Sequence, residues 1–313
     1  MIAVVGPTAT GKSALGIALA RRLGGEVVSC DSTAVYRGID IGTDKPTVAE
    51  RRATPHHLID VAAPSETYSA ARYAADAGAV IHAVVDRGRV PILVGGTGFY
   101  YRALVRGLFP GPSRDDALRA RLNRVADVRG VESLHRWLSR VDRASGRRIL
   151  PGDRKRLVRA LEVYLLTGRP LTDHFDDTAS VIEGFAVRPI GLTLPRPQLA
   201  ERVARRVDRQ FDRGVVAEVE ALLAAGLSET AHALSGLVYR QVVEFLRGVR
   251  DEAATRELIV RENMRYAKRQ MTWFRHEAGV HWLTGAGEMP GPQAEAQALV
   301  EGFAAGTPSP SGV

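Results

Sequence analysis

The segment Gly6–Ser13, GPTATGKS, matches the phosphate-binding loop pattern G-x-x-x-x-G-K-[ST]. Its setting makes the match informative. The apolar run IAVV at 2–5 precedes it. KSALGIALARRL at 12–23 follows, with apolar residues at 15, 18, 19 and 23, a helical spacing. A strand, a glycine-bracketed loop and a helix in that order direct backbone amides and a helix N-terminus at an anion. Gly6, Pro7, Thr8, Ala9, Thr10 and Gly11 supply the curl. Lys12 supplies a point charge for the outer phosphates, and Ser13 a hydroxyl of the kind that ligates Mg²⁺. Many phosphate-using enzymes share such a loop, so it leaves the ligand open.

The following segments alternate in type. EVVSCD at 26–31 and VPILVGG at 90–96 read as buried strands, and 68–88 as an amphipathic helix ended by glycine. This alternation predicts an α/β fold with a phosphate-loop parallel sheet covered by helices, and ligands at the carboxyl ends of its strands. From about residue 113 to 182 the pattern is helical and arginine-dense, which predicts a helical insertion. FAVRPIGLTL at 185–194 and VHWL at 280–283 are further strand candidates, with helices from 195 to about 276 between them. The core is therefore expected at 1–112 and 183–305, and residues 306–313, GTPSPSGV, as a disordered tail.

Only four lysines occur, at 12, 45, 155 and 268, among 43 basic residues, and the net charge is +8. An arginine-rich solvated surface accounts for this excess as readily as a polyanionic partner does. No long apolar run predicts a membrane span, and a chain opening directly on a strand is expected in the cytoplasm. The single cysteine, Cys30, rules out an internal disulfide and a cysteine-rich zinc site.

Two strand ends carry candidate chemistry. Asp31 follows EVVSC and can hold a metal ion, accept a proton from a nucleophile, or simply cap a turn. Thr97 follows the glycine pair of VPILVGG and can cap the next helix or touch a ligand.

The ordered set GPTATGKS, DSTAVYRGIDIGTDKP, PHHLID, VGGTGFYYRALVRGL, DRKRLVRALEVYLLTGRPL and YAKRQMTWFR resembles the signature of tRNA dimethylallyltransferases across roughly residues 1–285. The resemblance implies transfer of a five-carbon group from dimethylallyl diphosphate to N6 of adenosine 37 in the tRNA anticodon stem-loop, with Mg²⁺ and without a membrane, by a protein expected to be a monomer. It makes Asp31 the acceptor for the adenine amine and places Thr97 near the bridging oxygen. It puts Arg202 with the loop at the diphosphate. It assigns tRNA contacts to Asp31, Ser32, Thr33, Ala34, Thr97, Arg119, Lys155, Arg156, Leu157, Val158, Arg159, Arg206, Tyr239, Arg240, Lys268, Arg269 and Gln270. His56 and His57 are expected to be structural, Cys30 a core residue and Trp273 a packing residue. The chain departs from the family pattern at Ala34, Gln210, Val238, Asn263 and Met264. Three competing readings remain: an adenylate isopentenyltransferase using free AMP, ADP or ATP, a small-molecule kinase, and a nucleic-acid-binding protein with an inactive site.

Overall fold

The computed structural model describes residues 1–306; the expected tail from 307 onward lies outside the described residues. The chain forms two compact units. One comprises Met1–Val105 and the chain from Val181 onward; the other is Arg106–Ser180, where the sequence reading put the insertion at 113–182.

The first unit is built on six parallel strands: β1 (Ile2–Val5), β2 (Glu26–Cys30), β3 (His56–His57), β4 (Pro91–Gly95), β5 (Arg188–Thr193) and β6 (His281–Thr284). Their order is β3-β2-β4-β1-β5-β6. Strands β1, β2 and β4 are buried along their whole length, which explains why they read as unbroken apolar runs rather than alternating ones. The two-residue β3 was not legible in the sequence, since so short a strand has no periodicity to show.

Helices α1 (Lys12–Leu23), α2 (Val48–Ala53), α3 (Ala70–Asp86) and α4 (Gly98–Val105) belong to this unit. Helix α3 starts where the Ser69 hydroxyl accepts the Arg72 amide at 3.1 Å and stops just before Gly88, whose φ is +68°. It buries Tyr73, Ala77, Ile81 and Val84, one stripe of a 3.6-residue repeat.

The second unit contains α5 (Asp116–Arg129), α6 (Val131–Val141), α7 (Arg143–Arg148) and α8 (Arg154–Thr167), followed by a 3₁₀ turn at Leu171–Asp177. Leu122, Leu134, Leu138, Leu157 and Leu161 meet in its core. Inside this apolar setting lies Glu162, with no exposed side-chain surface. Its carboxylate accepts a two-pronged contact from Arg119, both bonds 2.8 Å, and further bonds from Arg159 at 2.7 Å and the Asp115 amide at 2.9 Å. Those donors outweigh the cost of burying the charge and hold the carboxyl down at about 2.

Returning to the first unit, the chain adds α9 (Arg196–Asp212), α10 (Val215–Ala224), α11 (Tyr239–Leu246), α12 (Glu252–Arg275) and α13 (Pro290–Gly306). The expected helical stretch from 195 to 276 is thus four helices plus a 3₁₀ turn at His232–Ser235. Helix α13 was not foreseen. Its Ala296 and Val300 complete the core formed by the sheet and α1.

Because the folded-state Glu162 carboxyl is depressed, its stabilisation is complete above the unfolded value near 4.5 and is lost as pH falls towards 2. Glu162→Ala strands the two arginines, and we expect it to lower unfolding stability at pH 7 by roughly 3 kcal/mol. Urea titrations at pH 7 and pH 3 check both statements: the gap between the two proteins should shrink at pH 3.

Candidate active site

The phosphate loop links β1 to α1. Gly6 has φ +128°, and a Cβ there would lie 2.6 Å from the Leu192 carbonyl oxygen of β5. Gly11 caps α1 with φ +85°, and a Cβ there would lie 2.6 Å from the Gly287 amide nitrogen. Both glycines are therefore required for conformation and for close approach. Thr10 bonds the Pro7 carbonyl at 2.9 Å, closing the curl.

Groups distant in sequence fix this loop. The Gln270 side chain, from α12, accepts the Thr8 amide at 2.8 Å and donates to the Gly96 carbonyl at 2.9 Å. Arg202, from α9, donates to the Ala9 carbonyl at 2.7 Å and pairs with Glu288 at 2.6 Å. Arg206 donates to the Thr8 hydroxyl at 2.6 Å and pairs with Asp44.

The loop borders a cavity of about 590 Å³. Lys12, Asp31, Ala34, Tyr266 and the Arg202, Arg205, Arg206 and Arg209 side of α9 line it. Lys12 donates to the Pro7 carbonyl at 2.5 Å. Burial and the Arg206 charge push its ammonium down to about 7, only partly countered by Asp31. An anion entering the cavity would reverse that imbalance. Ser13 also lines the cavity, and its hydroxyl has no hydrogen-bond partner among the described residues.

Pairing of β2 with β4, in which Cys30 faces Gly95, brings Asp31 and Thr97 together. The Thr97 amide donates to the Cys30 carbonyl at 3.2 Å. The Thr97 hydroxyl accepts the Ser32 amide at 3.1 Å, so it reaches across to the neighbouring strand end instead of capping α4. One Asp31 oxygen, Oδ1, accepts from the Thr33 amide at 2.8 Å, the Thr33 hydroxyl at 2.7 Å and the Ala34 amide at 3.3 Å. Oδ2 has no such partner among the described residues and is left for a donor in the cavity. Cys30 beside it is buried, and its thiol is pushed up to about 12, so it is inert core.

Sequence reasoning missed Tyr266 and Glu288. Tyr266 lines the cavity near Asp31 and Thr97, and burial raises its phenol to about 12, keeping it protonated. Glu288 follows β6 in a segment without a recognisable motif, and only the packing of Gly287 against Gly11 brings it to the site.

Several expected tRNA contacts do other work. Leu157 and Val158 are buried in the second unit's core, and Tyr239 is fully buried with its hydroxyl on Glu218 at 2.6 Å. Direct RNA contact by these three side chains is not met, because their surfaces are used in packing. Arg119 and Arg159 are tied to Glu162, and Gln270 is 6% exposed in its loop-clasping role. Lys155, Arg156, Arg240, Lys268 and Arg269 are exposed. Lys45, on the cavity wall, spends its ammonium on Asp40 and Asp60, both at 2.6 Å, and on the Tyr36 carbonyl. His57 bonds Glu26 at 2.6 Å and His56 the Thr54 carbonyl at 2.6 Å. Trp273 packs on Gly98 and, edge to face, on Phe99. Gln210 uses its amide to hold the Gly42 carbonyl at 2.9 Å, and Asn263 bonds back to Ile259. Val238 adopts φ +75°, a conformation that favours the glycine expected there. Nothing in the structure explains Met264.

The sequence model of the family described as IPP transferase matches residues 34–277, more than half of the chain. The chain belongs to this family. It is 48% identical over 286 residues to a tRNA dimethylallyltransferase of Streptomyces coelicolor, covering 91% of this chain and 90% of that protein. It is 45% identical over 303 residues to one of Koribacter versatilis, covering 96% and 98%. Among solved structures, the full-length tRNA isopentenylpyrophosphate transferase of Bacillus halodurans superposes with a TM-score of 0.72 at 36% identity, covering 96% of this chain and 95% of that one. The similarity to these proteins thus extends over the residues of both units and not over the phosphate loop alone.

The depressed Lys12 ammonium sets a proton linkage. An ester diphosphate is fully ionised above about pH 7. Its binding should raise the Lys12 value and take up a proton. Diphosphate affinity should then peak near pH 7 and fall up to tenfold per unit above it. Titration calorimetry in buffers of different ionisation heat measures that uptake, and its absence in Lys12→Met would assign it to this side chain.

Proposed function

We infer that this protein transfers the dimethylallyl group of dimethylallyl diphosphate to N6 of adenosine 37, beside the tRNA anticodon, releasing diphosphate. The observation that carries this reading is the placement of Asp31. Its carboxylate, half of it unpartnered, stands at a strand end beside Thr97 and on the wall of the cavity bordered by the phosphate loop. A phosphoryl-transfer enzyme needs an acceptor for a hydroxyl or water. An alkyl transfer from a diphosphate to an amine needs a leaving-group site and a separate acceptor for the amine, and the phosphate loop and Asp31 suit those two roles.

The step breaks the allylic C–O bond and forms a C–N bond. The electron pair of the broken bond leaves on the diphosphate, and the amine proton leaves through Asp31 to solvent. Negative charge grows on the leaving diphosphate, and the phosphate loop, Lys12 and Arg202 on the cavity wall are suited to neutralise it. The Thr97 hydroxyl, held by the Ser32 amide, is suited to donate to the bridging oxygen. An exocyclic amine is a weak nucleophile, so holding it against the allylic carbon supplies much of the rate. The protonated Tyr266 phenol on the same wall offers a polar edge to the base.

The donor set around Ser13 fits Mg²⁺ carried in with the diphosphate. The ion keeps most of its water and needs few protein ligands, and the Ser13 hydroxyl is free to be one. When bound, it would neutralise charge on the leaving group. Exposed Lys155, Arg156, Arg240, Lys268 and Arg269 are suited to the RNA backbone. The relatives' names and the match over both units favour tRNA over a free nucleotide as acceptor.

Asp31→Ala and Thr97→Ala should each lower prenyl transfer by about 10²-fold or more while tRNA affinity stays within a few-fold. Labelled dimethylallyl diphosphate with unmodified tRNA or with AMP measures both turnover and acceptor class. Prenylation of AMP and not of tRNA would overturn the reading.

A further inference from the structure

Four arginines of α9 line the same cavity, at 202, 205, 206 and 209. Their spacing puts them on one helix face. They divide by their partners. Arg202 and Arg206 bond the phosphate loop and are paired with Glu288 and Asp44. Their side chains are 28% and 21% exposed. Arg205 is 60% exposed, and its pair is Glu201, one turn back on the same helix, at 3.6 Å. Such a pair contributes little and is readily exchanged. Arg209 is exposed and has no ion-pair partner among the described residues. The cavity's Asp44 and Glu288 are already taken by the inner arginines, so Arg209 adds positive charge without an ion-pair partner among the described residues, and Arg205 adds one balanced only by Glu201, on a concave wall that concentrates the field.

We propose that Arg205 and Arg209 form a phosphodiester-binding rim that grips the RNA strand on either side of the nucleotide delivered into the cavity. The rim is separate from the diphosphate site held by Arg202 and the loop. This rests on the reading of tRNA as the acceptor. The base must leave its stack to reach Asp31, which opens the strand around it. Four residues of helix separate the two arginines by about 6 Å along its axis. Two guanidiniums at that spacing can reach successive phosphates of one strand. The long side chains reach outward from there. A guanidinium offers the planar, two-donor edge that matches phosphate oxygens.

The test uses the full chain with Arg205→Gln, Arg209→Gln and the double substitution. Arg22→Gln, ten residues along α1 from Lys12, is the control. Two probes separate the phosphate sources: an anticodon stem-loop RNA and inorganic diphosphate. Each rim substitution should weaken RNA binding roughly tenfold at low salt. It should also reduce the slope of log affinity against log salt by about 1. Diphosphate affinity should stay within twofold, and Arg22→Gln should change neither probe beyond twofold. Unchanged RNA affinity and slope would overturn the rim, as would a loss of diphosphate affinity equal to the loss for RNA. If the unaltered protein prenylates tRNA while the variants behave like it, only the rim is wrong. If the unaltered protein neither binds nor prenylates the RNA, the reading of the acceptor fails first.

Discussion

The side-chain amide of Gln270 touches two strand ends at once. It accepts the Thr8 amide of the phosphate loop and donates to the Gly96 carbonyl after β4. A Cβ on Gly96 would lie 2.1 Å from the Gln270 nitrogen, so glycine leaves the room that this bond needs. Through that one amide, α12 sets the distance between the anion-binding loop and the strand end that carries Thr97. Thr97 in turn holds the Ser32 amide beside Asp31. The phosphate loop and Asp31 are thereby fixed relative to each other. Preorganised donors of this kind need not reorganise as charge develops.

The electrostatics of the cavity follow from the same construction. Arg202 and Arg206 brace the loop from outside and each carries a carboxylate partner. Lys12 hydrogen-bonds only a carbonyl among the described residues, and burial and the Arg206 charge hold it near 7, with Asp31 countering only in part. An arrangement that is uncomfortable when empty and relieved by a polyanion is expected of a binding site, and it costs stability in the free protein. By contrast, the ion cluster around Lys45, Asp40, Asp60 and Arg51 is fully partnered and serves to shape the loop after Asp31. The two lysines lie on one cavity wall and have opposite roles, and their partners decide which is which.

The second unit solves a separate problem. Its helices are short and arginine-rich, and a leucine core alone would leave the start of α5 undetermined. The Asp115 side chain caps α5 by accepting the Leu118 amide, and Glu162 ties that start to α8 by binding both the Asp115 amide and the Arg119 fork. Residues that look like surface cations in the sequence are thus partly structural. Arg156 and Lys155, about two turns before Glu162 on the same helix, keep their charge at the surface.

The sequence by itself determined the parallel α/β core, because buried strands and glycine-bracketed loops have local signatures. Residues 2–5, 12–23 and 26–31 required nothing beyond their own order. The phosphate loop and the candidates Asp31 and Thr97 were visible for the same reason: they sit at strand ends, and strand ends can be found from apolar runs. The division of labour among the polar residues was decided by tertiary structure alone. Whether Arg119 faces RNA or Glu162, whether Tyr239 faces solvent or Glu218, and whether Gln270 touches substrate or clasps the loop depend on partners 43, 21 and 262 positions away. The reach of Glu288 to the loop depends likewise on β6 pairing with β5 and α13 packing against α1. Hydrogen-bond partnership is a property of positions in space, and a local pattern of residue types carries no record of it.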